Sequence, residues 1–410
     1  MRLWIVNEYA VSPLEPGGTR HYSLARGLVA LGHEVELIAS ARNNFTGNVA
    51  QVSNSDIDGV SLTFVAAEKL PIPAIGRGRV ASMLAFARSL RRVLQNRSSR
   101  PDVLIGSTPN LFVATAAYLE ARRMGVPFVL EVRDIWPETL VDLGGYSRWN
   151  PGVLLFDVLA RFLYRRADHV ITLLPFAGEH IKAKGGSDKR ITWVPNGIDL
   201  GLLPSLGQES AVADGTGPFT ITYAGAHGLA NALDAILDAA RLLDERHPGR
   251  YHFRFIGNGH DKSRLVERAS TEGIANVSFL DPVPKRDVYR FLVDSDALVV
   301  NMNEGGLYRF GISFNKLFDY LAVGRPIVFG SAARNDPVRD AGAGLCVAAN
   351  DVGALAQAVE QLAGLPAEER EKMGARGRAY VEEHHDMTKL AARLSDVLES
   401  LVSQHRLAHE

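Results

Sequence analysis

The chain contains one cysteine, Cys346, in 410 residues. A single thiol cannot close an internal disulfide, so the expectation is a reducing cytoplasm, with Cys346 a small core residue. Long apolar runs are missing too. No window reaches about eighteen uninterrupted apolar residues, so no membrane span is expected, and surface attachment stays open. The start runs directly into LWIVN without the basic and apolar stretches of a secretory leader, and none is expected. An excess of one charge is also absent, with 45 Lys and Arg against 46 Asp and Glu, which argues against a general nucleic-acid binder. What remains is an ordinary globular mixture, 46% hydrophobic and 22% charged, on a chain too long for one core.

Short apolar strands alternate with amphipathic helices for nearly the whole length, the pattern of an α/β protein with parallel sheets covered by helices on both faces. Residues 3–6, 35–38, 103–106 and 128–132 read as early strands. Thr19 is placed to cap a helix carrying Leu24, Ala25, Leu28 and Leu31, which Gly32 ends. Gly17 and Gly18 therefore lie between a strand end and a helix start, the ligand crevice of an open α/β sheet, where paired glycines let backbone approach phosphate. A plain tight turn is the alternative. The polar, glycine-rich residues 206–218 read as a linker. Beyond it FTITYAG restarts the pattern, and Asn231, with Asp234 at N3, is suited to cap a helix whose Leu233, Ile236, Leu237, Ala240 and Leu243 face a sheet. Gly225, His227 and Gly228 follow that strand. His227 either donates to a phosphate or sugar oxygen or is an exposed loop histidine. The expected division is a first domain over 1–205, a second over 206–384, and a terminal amphipathic helix over 385–410 that packs back on the first.

Three stretches concentrate ionisable groups. In RDIWPE, Arg133, Asp134 and Glu138 cluster with Trp136 at a strand end, where α/β enzymes place binding and catalytic groups. The alternative is a brace between Arg133 and Glu131 or Glu138. Residues 71–100 hold seven arginines and no acid, and Val80, Met83, Leu84, Ala87 and Leu94 form a helical stripe among them. That helix either rests on anionic lipid headgroups or is a core helix with a solvated basic flank. The third stretch is FGISFNKLFDYLAVGRPIVFG, residues 310–330. Lys316 falls in the first turn of a short helix, where free N–H groups already supply positive potential, so the lysine suits an anion. Asp319 shares its face and can accept from hydroxyls of whatever carries that anion. A solvated i,i+3 ion pair between the two is the competing reading.

Together GGTRHYSLARGLVALGHEVELIAS, EVRDIWPETLVDLG, PNGID, YAGAHGLANALD and SFNKLFDYLAVGRPIV resemble family 4 glycosyltransferases of the GT-B fold, and most closely the WbuB-like subgroup of bacterial O-antigen and capsule synthesis. The resemblance covers essentially the whole chain. It implies two Rossmann-like domains facing a central cleft, a nucleotide-sugar donor bound mainly by the second, and an acceptor bound mainly by the first. It further implies retaining, metal-independent transfer, with no cofactor beyond the UDP-sugar donor substrate. For substrates it implies a UDP-activated N-acetylated amino sugar and a polyprenyl-diphosphate-linked saccharide, met at the cytoplasmic membrane face. On this reading Lys316 and Asp134 carry catalysis. Gly17, Gly18, Gly225, His227, Gly228, Ser313, Asn315, Lys316 and Asp319 bind donor, with Asp319 on the ribose, and Arg133 and Glu138 shape the acceptor side. The family's first glutamate is replaced by Gly311, and its Arg and Lys after the first strand of the second domain by Ala226 and Asn231. These departures keep two other readings open, an epimerase of the same architecture and an inactive nucleotide-sugar-binding partner.

Overall fold

The computed structural model describes every residue except 12, 13, 16, 44–48, 50–53, 67–76, 188–189, 204–216 and 409–410, and the side chains of Arg77, Leu202, Leu229, Lys285 and Arg286. Two units are present, one of Met1–Asn196 with Met387–Glu410, the other of Gly197–Asp386. Residues 197–203, which the sequence suggested for the first domain, thus lie in the second. The linker read at 206–218 lies, up to residue 216, outside the described residues.

The first unit runs β1 (Arg2–Val6), α1 (Arg20–Ala30), β2 (Glu34–Ser40), β3 (Asn54–Ile57), β4 (Val60–Val65), α2 (Arg77–Gln95), β5 (Val103–Ser107), α3 (Leu111–Met124), β6 (Phe128–Val132), α4 (Glu138–Asp142), α5 (Pro151–Arg166), β7 (His169–Thr172), α6 (Ala177–Ala183) and β8 (Ile191–Trp193). Its sheet has the order β3-β4-β2-β1-β5-β6-β7-β8, parallel except for β3 against β4. Every residue of β5 and β6 is buried, as both faces of a covered parallel sheet require. The hairpin β3–β4, unforeseen from sequence, turns on Asp58 and Gly59 with φ 52° and 76°, the conformation an Asp-Gly pair favours.

The second unit runs β9 (Phe219–Ala224), α7 (Leu233–Arg246), β10 (Tyr251–Ile256), α8 (Lys262–Thr271), β11 (Val277–Leu280), α9 (Lys285–Val293), β12 (Ala297–Asn301), α10 (Asn315–Val323), β13 (Ile327–Ser331), α11 (Pro337–Ala341), β14 (Gly344–Ala348), α12 (Val352–Gly364) and α13 (Ala367–His384). All six strands are parallel, in the order β11-β10-β9-β12-β13-β14. Cys346 is half-buried in β14.

The last helix, α14 (Met387–Leu407), belongs to the first unit and lies on α1. A Cβ at Gly27 of α1 would stand 2.5 Å from that of Ala391, so only glycine permits this approach. In both sheets the chain reverses direction across the sheet once, between β1 and β5 and between β9 and β12. These are the switch points at which open α/β sheets bind ligands beyond their strand ends. No helix among the described residues is long and apolar enough to cross a membrane.

Candidate functional site

In the second unit the loops after β9 and β12 meet around Lys316. Its ammonium donates to Tyr223 Oη and Asn231 Oδ1, both at 2.6 Å, and stands 4.5 Å from the Tyr223 ring centre. No acid pairs with it among the described residues. Burial pulls its pKa down to about 7. The solvated ion pair with Asp319 is therefore not formed; the Asp319 carboxylate instead accepts from Tyr289 Oη at 2.9 Å.

The backbone that encloses the amine is held from three sides. Tyr320 of α10 donates to Ala224 O at 3.0 Å and accepts from its N–H at 2.5 Å, pinning the end of β9 to the helix. Asn335 bridges both backbone groups of Ile312, at 2.7 and 3.1 Å, and so sets the turn before α10. Gly225 has φ 155°, and a Cβ there would come within 2.9 Å of Lys316 Nζ. A Cβ on Gly257 would reach 2.0 Å from Gly225 O, and one on Gly259 2.0 Å from His227 O. The β9 and β10 loops are thus in backbone contact through glycines. Those last two glycines were missed, although GNG directly after a strand is the kind of signal that marks close backbone approach.

Other expected residues are placed as follows. Asn315 is exposed in the first turn of α10 and Ser313 half-buried just before it, beside N–H groups without intrahelical acceptors. Gly228 has no positive φ, and a Cβ there would find 3.5 Å to the nearest atom, so the position does not demand glycine. His227 is not an exposed loop histidine. It is 0% exposed, and burial, then Lys262 and Lys316, lower its pKa to about 4. Its ring lies against Tyr223 and Phe279, with both nitrogens unpartnered among the described residues. Asn231 does not cap α7; Ala232 takes that place in a left-handed conformation, φ 43°, and Asn231 turns instead to Lys316 and Ala226 O. Asp234, at N2, is tied to Arg264 and Arg268.

Gly311 has φ 88° and ψ −178°, a region essentially reserved for glycine. A side chain at position 311 would be strained in this conformation. Gly311→Glu is expected to cost about 1–3 kcal/mol of stability, read by urea unfolding, without raising activity.

In the first unit, Gly17, with φ 148°, and Gly18 lead into α1 beyond the end of β1. Thr19 sits at the N-cap position but makes no capping bond through its side chain. The next residues are engaged inward. Arg20 Nε donates to Glu131 at 3.1 Å and Nη2 to Val194 O at 2.8 Å, with a further bond to Pro195 O. His21 Nε2 and Ser107 Oγ each lie 2.6 Å from the other Glu131 oxygen. Burial alone would raise the Glu131 pKa, but His21 and Arg20 hold it well below the usual carboxylate range. Of the predicted trio, Glu138 is buried and bound to Arg148 at 3.0 Å and Lys184 at 3.6 Å, which is a bracing role. Arg133 makes no ion pair with Glu131 or Glu138 among the described residues, although its charge adds to those that hold the Glu131 pKa down. Its Nε is buried without a partner among the described residues, and Asp134 beside it is exposed.

Doubly wound sheets with glycines at their switch points, and a lysine at a helix start that no acid neutralises among the described residues, form an anion site of the kind open α/β sheets offer to nucleotides. Family comparison agrees. Residues 17–197 match the glycosyl transferase 4-like domain and residues 218–364 match glycosyl transferases group 1, and the chain belongs to this family. It is 23% identical over 78% of its length, and 79% of the relative's, to a Pseudomonas aeruginosa chain named as glycosyltransferase WbjE. It is 25% identical over 67%, and 69% of the relative, to the Escherichia coli colanic acid biosynthesis glycosyl transferase WcaI. Among solved structures, sucrose-phosphate synthase from Thermosynechococcus elongatus has a TM-score of 0.77 at 13% identity, covering 98% of this chain and 99% of that one. Anabaena HepE in complex with UDP-glucose has a TM-score of 0.68 at 14% identity, covering 98% and 100%.

Proposed function

We propose that the protein transfers an N-acetylated amino sugar from a UDP-sugar to a polyprenyl-diphosphate-linked saccharide, with retention and without a metal, as a WbuB-like enzyme of polysaccharide synthesis at the cytoplasmic membrane face. The observation that carries this reading is Lys316, an enclosed cation at a helix N-terminus with no acid beside it. A donor diphosphate supplies the missing negative charge, and Lys316 with the first-turn amides of α10, flanked by Ser313 and Asn315, stabilises it as it departs. Asp319, already fixed on one oxygen by Tyr289, accepts from the ribose hydroxyls. In the first unit Arg133 and Asp134 orient the acceptor, and Gly17 and Gly18 offer backbone to phosphate. A nucleotide sugar as donor fits the UDP-glucose bound by HepE, and polysaccharide synthesis fits the name of WcaI.

Incubation with UDP-N-acetylhexosamines tests the reading. UDP release that depends on a polyprenyl-diphosphate saccharide is expected; conversion without acceptor would mark an epimerase, and saturable binding without turnover an inactive partner. A second test uses the Lys316 pKa. In the ligand-free protein Lys316 titrates near 7, against 10.5 for an unperturbed lysine. The unfolded chain keeps this proton to higher pH, so burying Lys316 costs stability most below pH 7, and that cost fades as the pH rises towards 10.5. Binding of UDP restores the charged form. Above pH 7, binding is therefore expected to take up a proton, and affinity to fall by up to about tenfold per pH unit. Calorimetry in buffers of different ionisation enthalpy at pH 8 reads the uptake, and its absence would count against Lys316 as the diphosphate ligand.

A further inference from the structure

Helix α5 carries apolar residues on two opposite sides, and only one of those sides is covered. Phe156, Ala160, Leu163 and Tyr164 are buried, Phe156 against Phe112 of α3 at 5.5 Å between ring centres. The opposite side presents Leu154, Leu155 and Val158 at one-face spacing, 46%, 45% and 63% exposed, and Trp149 just before the helix is 84% exposed. Large apolar side chains grouped and exposed on one face call for a partner. The charge around it says which kind. Helices α2, α3 and α5 lie side by side on the sheet, and together they hold ten arginines and two acids, Glu120 and Asp157. Both acids are already used: Glu120, fully buried, by Arg91 at 2.9 Å and Arg123 at 2.5 Å, and Asp157 by Arg161 at 2.6 Å and by Lys184. Arg88, Arg92, Arg122, Arg165 and Arg166 are exposed and make no ion pair among the described residues. In a chain of net charge −1 this layer is strongly polarised.

We propose that this layer docks on an anionic lipid surface, with Trp149, Leu154, Leu155 and Val158 entering the headgroup boundary and the surrounding arginines meeting lipid phosphates. Aromatic and aliphatic side chains ringed by arginine are the composition of an interfacial helix, whereas a nucleic acid or an acidic protein tail would leave the apolar stripe without use. The sequence offered α2 either as a lipid-facing helix or as a core helix with a basic flank; of its apolar stripe Met83, Ala87 and Leu94 are core, and Val80 and Leu84 are half-buried. α2 contributes charge, and α5 the apolar contact.

The inference rests on the membrane-face part of the proposed function and names the surface that would make the contact, but its test needs neither donor nor acceptor. The full chain is floated with vesicles of phosphatidylglycerol and phosphatidylcholine. Binding is expected in low salt, with roughly tenfold loss in Trp149→Ser/Val158→Ser and a comparable loss in Arg165→Glu/Arg166→Glu. Brominated lipid should quench tryptophan fluorescence in the parent and much less in Trp149→Phe, a direct readout of contact. Circular dichroism and unchanged UDP binding show that each variant is folded. Flotation unaffected by either pair, or a parent that does not float, overturns the assignment. So does light scattering that shows a dimer dispersed by the same apolar substitutions, since the face would then join two copies of the chain. A lipid-dependent protein that uses a soluble acceptor would leave this inference standing and remove the lipid-linked acceptor instead.

Discussion

Lys316→Met is expected to lose roughly a hundred- to a thousand-fold in sugar transfer while remaining folded, the loss typical of removing one preorganised group that stabilises developing charge. Methionine keeps much of the lysine's length and apolar stem but removes the charge. The direction of the stability change separates a functional lysine from a structural one. An ammonium whose pKa has fallen to about 7 is held at a cost, so its removal should leave the melting temperature unchanged or raise it. A structural lysine would show the reverse, a lower melting temperature with activity lost only in proportion. The hydrogen bonds it donates do not alter this. Tyr223 Oη itself donates to Ala226 O at 2.7 Å, so it stays satisfied without the ammonium, and Asn231 keeps its bond to the same carbonyl at 2.9 Å. Steady-state transfer, UDP affinity and thermal melting on one preparation decide the case, and a methionine variant with parental turnover would sink the assignment.

What the sequence made legible was mostly what repeats with a short period. Strand β6 has the expected bounds, and the stretch 310–330 contains a helix that ends at Gly324, φ 73°, followed by a buried strand, as its glycine and proline spacing indicate. Long-range pairing is where reading failed. Asn231 looked like a helix cap because cap residues and hydrogen-bonding loop residues are the same types, and the partner that claims it, Lys316, lies 85 residues away. For His227, which follows a strand between glycines, the alternative of an exposed loop histidine is removed only by the packing of Tyr223 and Phe279 around it. The Asp58-Gly59 pair of the β3–β4 turn, by contrast, is a local hairpin signal that needs no distant partner. The residues around Glu131 carried no local signal, since an acid inside an apolar strand shows a need for a partner but not which one.

That acid sets the largest stability effect expected of a single substitution. Glu131 and Arg20 have side chains 2% and 1% exposed, and the guanidinium's other bonds go to backbone carbonyls, so among the described residues the carboxylate is its only countercharge in direct contact. Glu131→Ala would leave a buried cation with no opposite charge and would strip His21 and Ser107 of their shared acceptor. Breaking a buried pair from one side costs about 3–5 kcal/mol. Urea unfolding of the variant should show that loss. Arg20→Met/Glu131→Leu should recover part of it, because removing both charges also removes the desolvation cost of each. If the double variant were as unstable as the two single losses added, the pair would be acting through shape and not charge. The pH dependence runs in step. A carboxyl whose folded pKa lies well below its unfolded value of 4.5 contributes its stability above 4.5 and loses it as the pH falls towards the folded pKa. Acid unfolding of the parent should therefore steepen below pH 4.5, and Glu131→Leu in the Arg20→Met background should flatten that part of the curve.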